Sequence, residues 1–318
     1  METENKNNFF DANQSFRKII FFIAILFCLS PYCSPPIALL LGIVIAQFVG
    51  HPYLHLNHKA TNILLQVSVV GLGFGMNVTS AMKAGKEGII FTVVSIIGTL
   101  IIGYFMGKFL KIEKKTSYLI SCGTAICGGS AIAAISPVIK AEEKQISVAL
   151  GTIFILNSVA LIIFPLIGHS LHLSQSQFGL WCAIAIHDTS SVVGAASKYG
   201  PQALEIATTV KLARALWIIP VAFLSTVIFK NKGGKIKIPY FIGLFVVAMI
   251  LNTYSPLVQQ YSHYLTEIAK AGLTLTLFLI GSGLNKKVLK SVGFRPLFQG
   301  IILWIIISIT SLWVIINL

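Results

Sequence analysis

Residues 122–137 read CGTAICGGSAIAAISP and lie in the middle of an otherwise apolar chain. Behind Cys127 come four small residues, Gly128, Gly129, Ser130 and Ala131, and a glycine costs roughly 1 kcal/mol of helix stability relative to alanine. The stretch predicts a helix that breaks. In hydrocarbon a break frees N–H and C=O groups that are costly when unpaired, so it persists only where protein, water or a ligand satisfies them. The break is therefore a candidate binding site.

The pattern returns sixty residues later in CAIAIHDTSSVVGAAS. Cys122, Ala125, Ile126, Cys127 and Ser130 align without a gap on Cys182, Ala185, Ile186, His187 and Ser190. Where the first copy has Cys127 and Gly128, the second has His187 and Asp188.

Composition sets the class. Of 318 residues 55% are hydrophobic and 11% charged, against about 25% charged in ordinary globular chains. This is an all-α polytopic membrane protein. The formal charge of +14 does not indicate nucleic acid, because the basic residues sit in short loops between apolar runs, where they orient a membrane protein. Residues 1–15 form a polar, Asn-rich tail and 16–318 a single transmembrane domain. Arg17, Lys18 and the short run after them resemble a signal peptide, but no small-x-small cleavage site follows. The five cysteines form no CxxC pair and fall mostly in apolar runs, as small buried thiols do. No cofactor or metal site is expected.

Eleven apolar spans are expected. They cover about 19–29, 36–49, 60–78, 88–109, a fifth containing the break, 146–167, a seventh holding His187 and Asp188, 203–229, 239–252, 265–284 and 294–316. With the N-terminus cytoplasmic, the inside tail and loops carry sixteen of the 24 Lys and Arg, including clusters at Lys108–Lys115, Lys230–Lys237 and Lys286–Arg295, and the outside loops six. That bias supports eleven spans with the N-terminus in and the C-terminus out. A second echo, GLGFGMN against LIGSGLN, matches Gly73, Gly75, Asn77 and Gly85 to Gly281, Gly283, Asn285 and Gly293. Those two spans run in opposite directions, as an inverted repeat requires. The first echo fits such a repeat only if one of its spans contains a re-entrant turn.

Asp188 is the one acidic residue deep within an expected span. A buried carboxylate needs a partner or a water-filled cavity. Lys211 and Arg214, three apart, share a helix face and make an anion site plausible, Arg214 through a planar fork that Lys cannot reproduce. The plainer alternative is a buried ion pair of Asp188 with either cation, tying two spans together. His187 is equally a packing residue or a proton carrier.

Enzyme motifs are missing: there is no HExxH, GxSxG, P-loop, dinucleotide fingerprint or second intramembrane aspartate. An intramembrane hydrolase would have to use Cys127 or Ser190 with a base supplied by the fold. A channel needs a pore open to both sides, whereas broken helices around one charged centre fit alternating access.

The segments LLQVSVVGLGFGMN, CGGSAIAAISPVI, AIHDTSSVVGAA and ATTVKLARALWIIP resemble, in this order, the signature segments of the YeiH-type bacterial inner-membrane proteins, to which sulfate export has been ascribed. The resemblance runs from the second span to the last. It implies a place in the cation:proton antiporter and anion transporter superfamily, with two broken helices crossing at the bilayer midplane. The extra thiol at Cys127 departs from the family pattern, and its role is open.

The expectation is a secondary transporter with an inverted-repeat fold, exporting or exchanging a small anion such as sulfate or a related sulfur oxyanion. Lys211 and Arg214 would attract the anion. Cys127, Gly128, Gly129 and Ser130, with Thr189 and Ser190, would bind it, and Asp188 with His187 would couple protons. An anion channel and a sodium-coupled carrier are the alternatives, and the oligomeric state, a homodimer included, is open.

Overall fold

The structure, a computed structural model, describes residues 14–30, 32–229, 240–284 and 292–317. Among them all regular structure is helical: α1 (Gln14–Cys28), α2 (Pro35–Phe48), α3 (Leu54–Gly73), α4 (Val78–Phe109), α5 (Lys114–Ala125), α6 (Gly129–Ile135), α7 (Glu143–Ser170), α8 (Gln175–Ala185), α9 (Thr189–Tyr199), α10 (Pro201–Ala215), α11 (Ile218–Ile228), α12 (Tyr240–Tyr254), α13 (Pro256–Gly283) and α14 (Phe294–Ile316). Most of the polar tail with Asp11, the clusters Lys230–Lys237 and Lys286–Lys290, and Asn285 of the second echo lie outside the described residues.

Each apolar run of the sequence coincides with a helix or a pair of helices. Among the described residues five stretches are long and apolar enough to cross a membrane: Phe91–Phe109, Lys144–Ser170, Pro201–Ile228, Pro256–Gly283 and Phe294–Ile316. Helix starts follow local chemistry. Ser174 and Gln177 cap each other at α8, as Glu142 and Gln145 do at α7, satisfying amides that have no intrahelical partner. Pro201 and Pro256 occupy first turns, where a missing N–H costs nothing.

The two echo segments do not run straight through. α5 ends at Ala125, Gly128 takes a positive φ of 64°, and α6 sets off again. α6 folds back on α5: a Cβ on Gly123 would meet Ile132 Cδ1 at 3.0 Å, and Lys115 at the start of the segment donates to the Lys140 carbonyl beyond its end at 2.7 Å. Gln145 likewise donates to Glu113. The second segment does the same. α8 ends at Ala185, residues at Ile186 and Asp188 are extended, and α9 returns. Tyr199 Oη donates to the Leu173 carbonyl at 2.7 Å, the Phe178 and Tyr199 rings stack at 3.7 Å, and Gln202 N–H donates to Gln175 Oε1 at 3.0 Å. The fifth and seventh runs, expected to pass through with a break, are thus helical hairpins. Their halves of 12, 7, 11 and 11 residues reach at most about 18 Å at 1.5 Å per residue, half a bilayer.

α7 joins the hairpins. Its 28 residues cover about 42 Å, from the end of the bundle that holds Lys115 and Lys140 to the end that holds Gln175 and Gln202. The hairpins therefore point at each other from opposite ends, and the first echo acquires the antiparallel relation that two uninterrupted spans would deny it. Both tips reach the middle of α7: a Cβ on Gly128 would lie 3.2 Å from Ile153 Cγ2, and His187 N–H donates to Asn157 Oδ1 at 3.0 Å.

The helices sort into two packed groups. α13 packs on α2 and α3, and α12 on α3. The hairpins pack with α4, α7, α10 and α14. The groups meet mainly where α13 and α2 touch α9.

Candidate functional site

The hairpin tips lie next to each other. A Cβ on Gly128 would meet Asp188 Cβ at 3.2 Å and Asp188 N at 3.3 Å. The Asp188 carboxylate caps α9: Oδ1 accepts from Ser190 Oγ at 2.5 Å and from the Ser191 N–H at 2.8 Å, and Oδ2 accepts from Ser191 Oγ at 2.9 Å. The aspartate that replaces glycine in the second echo thus shapes the tip as well as charging it.

One helix closes the other ends of both breaks. Lys211 Nζ donates to the carbonyls of Ala183 at 3.2 Å and Ile186 at 2.6 Å, at the C-terminal end of α8. Arg214 Nη2 donates to the Ala125 carbonyl at 2.6 Å, at the C-terminal end of α5, while Nη1 reaches Ser95 Oγ on α4 at 2.9 Å. Both cations are fully buried. The geometry fits them: the last carbonyls of a helix have no intrahelical partner and carry its negative dipole end. The ion pair weighed for Asp188 does not form; among the described residues the ion pair is Lys270 with Glu267.

A cavity of about 580 Å³ opens at the tips. It is lined by Cys127, Gly129 and Ser130 of the first hairpin and Asp188, Thr189 and Ser190 of the second, with Asn57 and Thr61 of α3 opposite. Of the expected site residues these six line it together; Gly128 sits beneath, against Asp188. Lys211, Arg214 and His187 are not in its lining. The His187 ring is fully buried and neither ring nitrogen has a partner, so it packs behind the second tip. Asp188 is the one ionisable side chain other than the Cys127 thiol among the described residues of the lining.

Sequence reasoning missed Asn57 and Thr61. Asn57 Nδ2 donates to the Leu279 carbonyl at 2.9 Å, leaving its buried Oδ1 unpaired, and Thr61 Oγ1 is likewise buried and unpaired. It also missed Asn157 and Ser95, which position the tips. A search for amides and hydroxyls in the apolar spans, rather than for charges alone, finds Thr61, Ser95 and Asn157, whereas Asn57 precedes the third expected span.

A second cavity, about 650 Å³, lies on the other side of α9. Val193, Gly194, Ser197 and Lys198 line it together with Leu72 of α3, Gly75 and Met76 just beyond that helix, and Thr266, Lys270 and Thr274 of α13. Between the cavities the two groups come together at α9, where a Cβ on Gly194 would lie 3.1 Å from Leu277 Cδ1 of α13 and 3.1 Å from Pro35 Cβ of α2.

Helices able to cross a bilayer, and a polar cavity at two breaks held within them, define a multi-pass helical membrane protein. The chain belongs to the UPF0324 family. Residues 19–300 match the family described as Conserved hypothetical protein 698. A UPF0324 membrane protein of Bacteroides thetaiotaomicron is 58% identical over 285 residues, 89% of this chain and 86% of the relative. Another from Porphyromonas gingivalis is 53% identical over 287 residues, 88% and 86% of the two chains, and one from Bdellovibrio bacteriovorus 51% over 301 residues, 93% of each. This is the YeiH-type family that the four segments resemble. No solved structure matches the chain at a significant level.

Proposed function

We propose that the protein is a secondary transporter that moves a small anion by alternating access between the two cavities, with Asp188 binding the coupling proton. The observation that carries this reading is the meeting of two oppositely directed hairpin tips at a cavity, with a second cavity on the other side of α9. Broken helices at the midplane, from oppositely oriented units, are how carriers build such sites. In this reading α4 with the first hairpin and α7 with the second form the inverted repeat. The group α2, α3, α12 and α13 shifts against the hairpin group, opening one cavity as it closes the other.

Charge supplies the coupling logic. An anion sharing the cavity with a bare carboxylate meets like-charge repulsion in a low-dielectric site. Occupancy therefore requires that Asp188 hold a proton or a cation, and the gradients set the direction of net flux. The anion contacts would come from the backbone at Cys127–Ser130 and from the Thr189 and Ser190 hydroxyls. Lys211 and Arg214 act at one remove, by fixing the two tips. Sulfate or a related sulfur oxyanion is the substrate class the family resemblance suggests, and no enzymatic step is part of the proposal. Sodium at Asp188 is a second reading, favoured by the unpaired oxygens of Asn57 and Thr61 in the same cavity, since hard cations take oxygen ligands.

The hairpins return to the end they enter from, which lowers the expected eleven crossings by two and leaves the termini on opposite sides. It also moves Lys140 and Lys144 to the basic, cytoplasmic side, strengthening the charge bias that orients the protein.

The test is counterflow in proteoliposomes preloaded with sulfate, thiosulfate or sulfite. Saturable exchange that needs anion on both sides, with net accumulation abolished by a protonophore, supports a proton-coupled carrier. Accumulation that survives the protonophore and needs external sodium selects the second reading. Non-saturable flux without exchange indicates a channel.

A further inference from the structure

Away from the hairpin tips, a groove of about 690 Å³ runs between α4, α5 and α11. Its wall is apolar: Leu100, Ile101 and Phe105 of α4 face Leu224 and Ile228 of α11. Ile101 and Phe105 are 52% and 63% exposed, on a helix long and apolar enough to cross the bilayer, so the groove faces lipid. From Leu100 to Lys108 it follows α4 for about 12 Å.

One end is basic. Lys108 and Lys114 line it, and Lys114 Nζ lies 5.0 Å from the centre of the Phe229 ring, across the mouth. The described lining holds no carboxylate. The floor is α5, the first half of the first hairpin. It sits close because α4 offers glycine there: Cβ atoms on Gly103 and Gly107 would each lie 2.7 Å from the Cβ of Ser121 and Ser117. Tyr118 Oη and Ser225 Oγ, 2.8 Å apart, tie α5 to α11 within the groove.

We infer that this groove is a binding site for an anionic phospholipid, its acyl chain along α4 and α11 and its phosphate on Lys108 and Lys114. An apolar trough ending in two cations is complementary to a chain ending in an anion. Basic residues at a helix end attract anionic headgroups, and the charge bias puts this end of the bundle on the cytoplasmic leaflet. A lipid seated there packs against α5 and braces the first hairpin.

The experiment is thermal unfolding of the full-length protein in nanodiscs of phosphatidylcholine alone or with phosphatidylglycerol, with bound lipid counted by native mass spectrometry. Three proteins are compared: wild type, the double variant Lys108→Gln/Lys114→Gln, and Ile228→Trp, which fills the groove and keeps both cations. The expected result is retention of phosphatidylglycerol over phosphatidylcholine by about tenfold, from roughly one factor of a few per lysine, and a higher unfolding midpoint in its presence. Both effects are lost in the double variant and in Ile228→Trp, while all three proteins unfold alike in phosphatidylcholine. The inference is overturned if wild type shows no headgroup preference, as it would were the groove covered by a second copy. It is equally overturned if the preference survives either variant, or if inorganic phosphate in detergent reproduces the stabilisation without a chain.

Discussion

Gly128 and Asp188, sixty residues apart in sequence, approach so closely that a Cβ added to Gly128 would lie 3.2 Å from the Asp188 Cβ. Here the two hairpins meet, and several consequences can be measured.

Gly128→Ala should be damaging twice over. The φ of 64° and ψ of −125° are open to glycine and strained for alanine by about 1–3 kcal/mol. The new methyl also pushes on Asp188. The expected outcome is a protein that inserts, unfolds at lower temperature and loses counterflow. Gly98→Ala, where a Cβ meets nothing within 4 Å, serves as the control and should be silent.

Asp188→Asn and Asp188→Ala should separate capping from coupling. Asparagine caps helices as well as aspartate does, whereas alanine costs about 1 kcal/mol. Both variants should lose gradient-driven transport, and only Asp188→Ala should lose stability. Wild-type accumulation in Asp188→Asn would leave the carboxylate as a cap and nothing more.

Arg214→Lys tests the reassignment of the two cations. An ammonium cannot span Ala125 O and Ser95 Oγ as the guanidinium does, and one unpaired buried acceptor costs about 1–3 kcal/mol. Thermal stability should fall by that order while the half-saturating anion concentration stays the same. A large rise in that concentration without loss of stability would restore Arg214 as a direct anion ligand.

The hairpins make a sidedness prediction. In a background without native cysteines, Lys115→Cys and Lys140→Cys should label with an impermeant maleimide from one side of the membrane, and Gln202→Cys from the other. Labelling of positions 115 and 140 from opposite sides would mean that the first segment crosses.

The two breaks were legible in the sequence because glycine and small residues in an apolar run are costly to a helix, and because the same spacing occurs twice. The reversal was not. A hairpin of two half-length helices and one spanning helix present the same apolar length, and only the contact of Lys115 with Lys140, beyond the reach of local pattern, tells them apart. The roles of Lys211 and Arg214 were half legible. Three-residue spacing does put them on one face, but helix spacing says nothing about what faces them, and each found the end of a different broken helix. Asn57 escaped because it precedes the expected third span, and Thr61 because a hydroxyl leaves little trace in hydropathy.

The most direct test of alternating access is cysteine accessibility in the two cavities under opposite gradients. Thr61→Cys reports on the cavity at the tips and Thr274→Cys on the one beyond α9. In proteoliposomes, a change of pH or sodium that speeds labelling at one position should slow it at the other. Labelling that rises at both positions together, or is fast at both throughout, would describe a continuous pore and contradict the carrier.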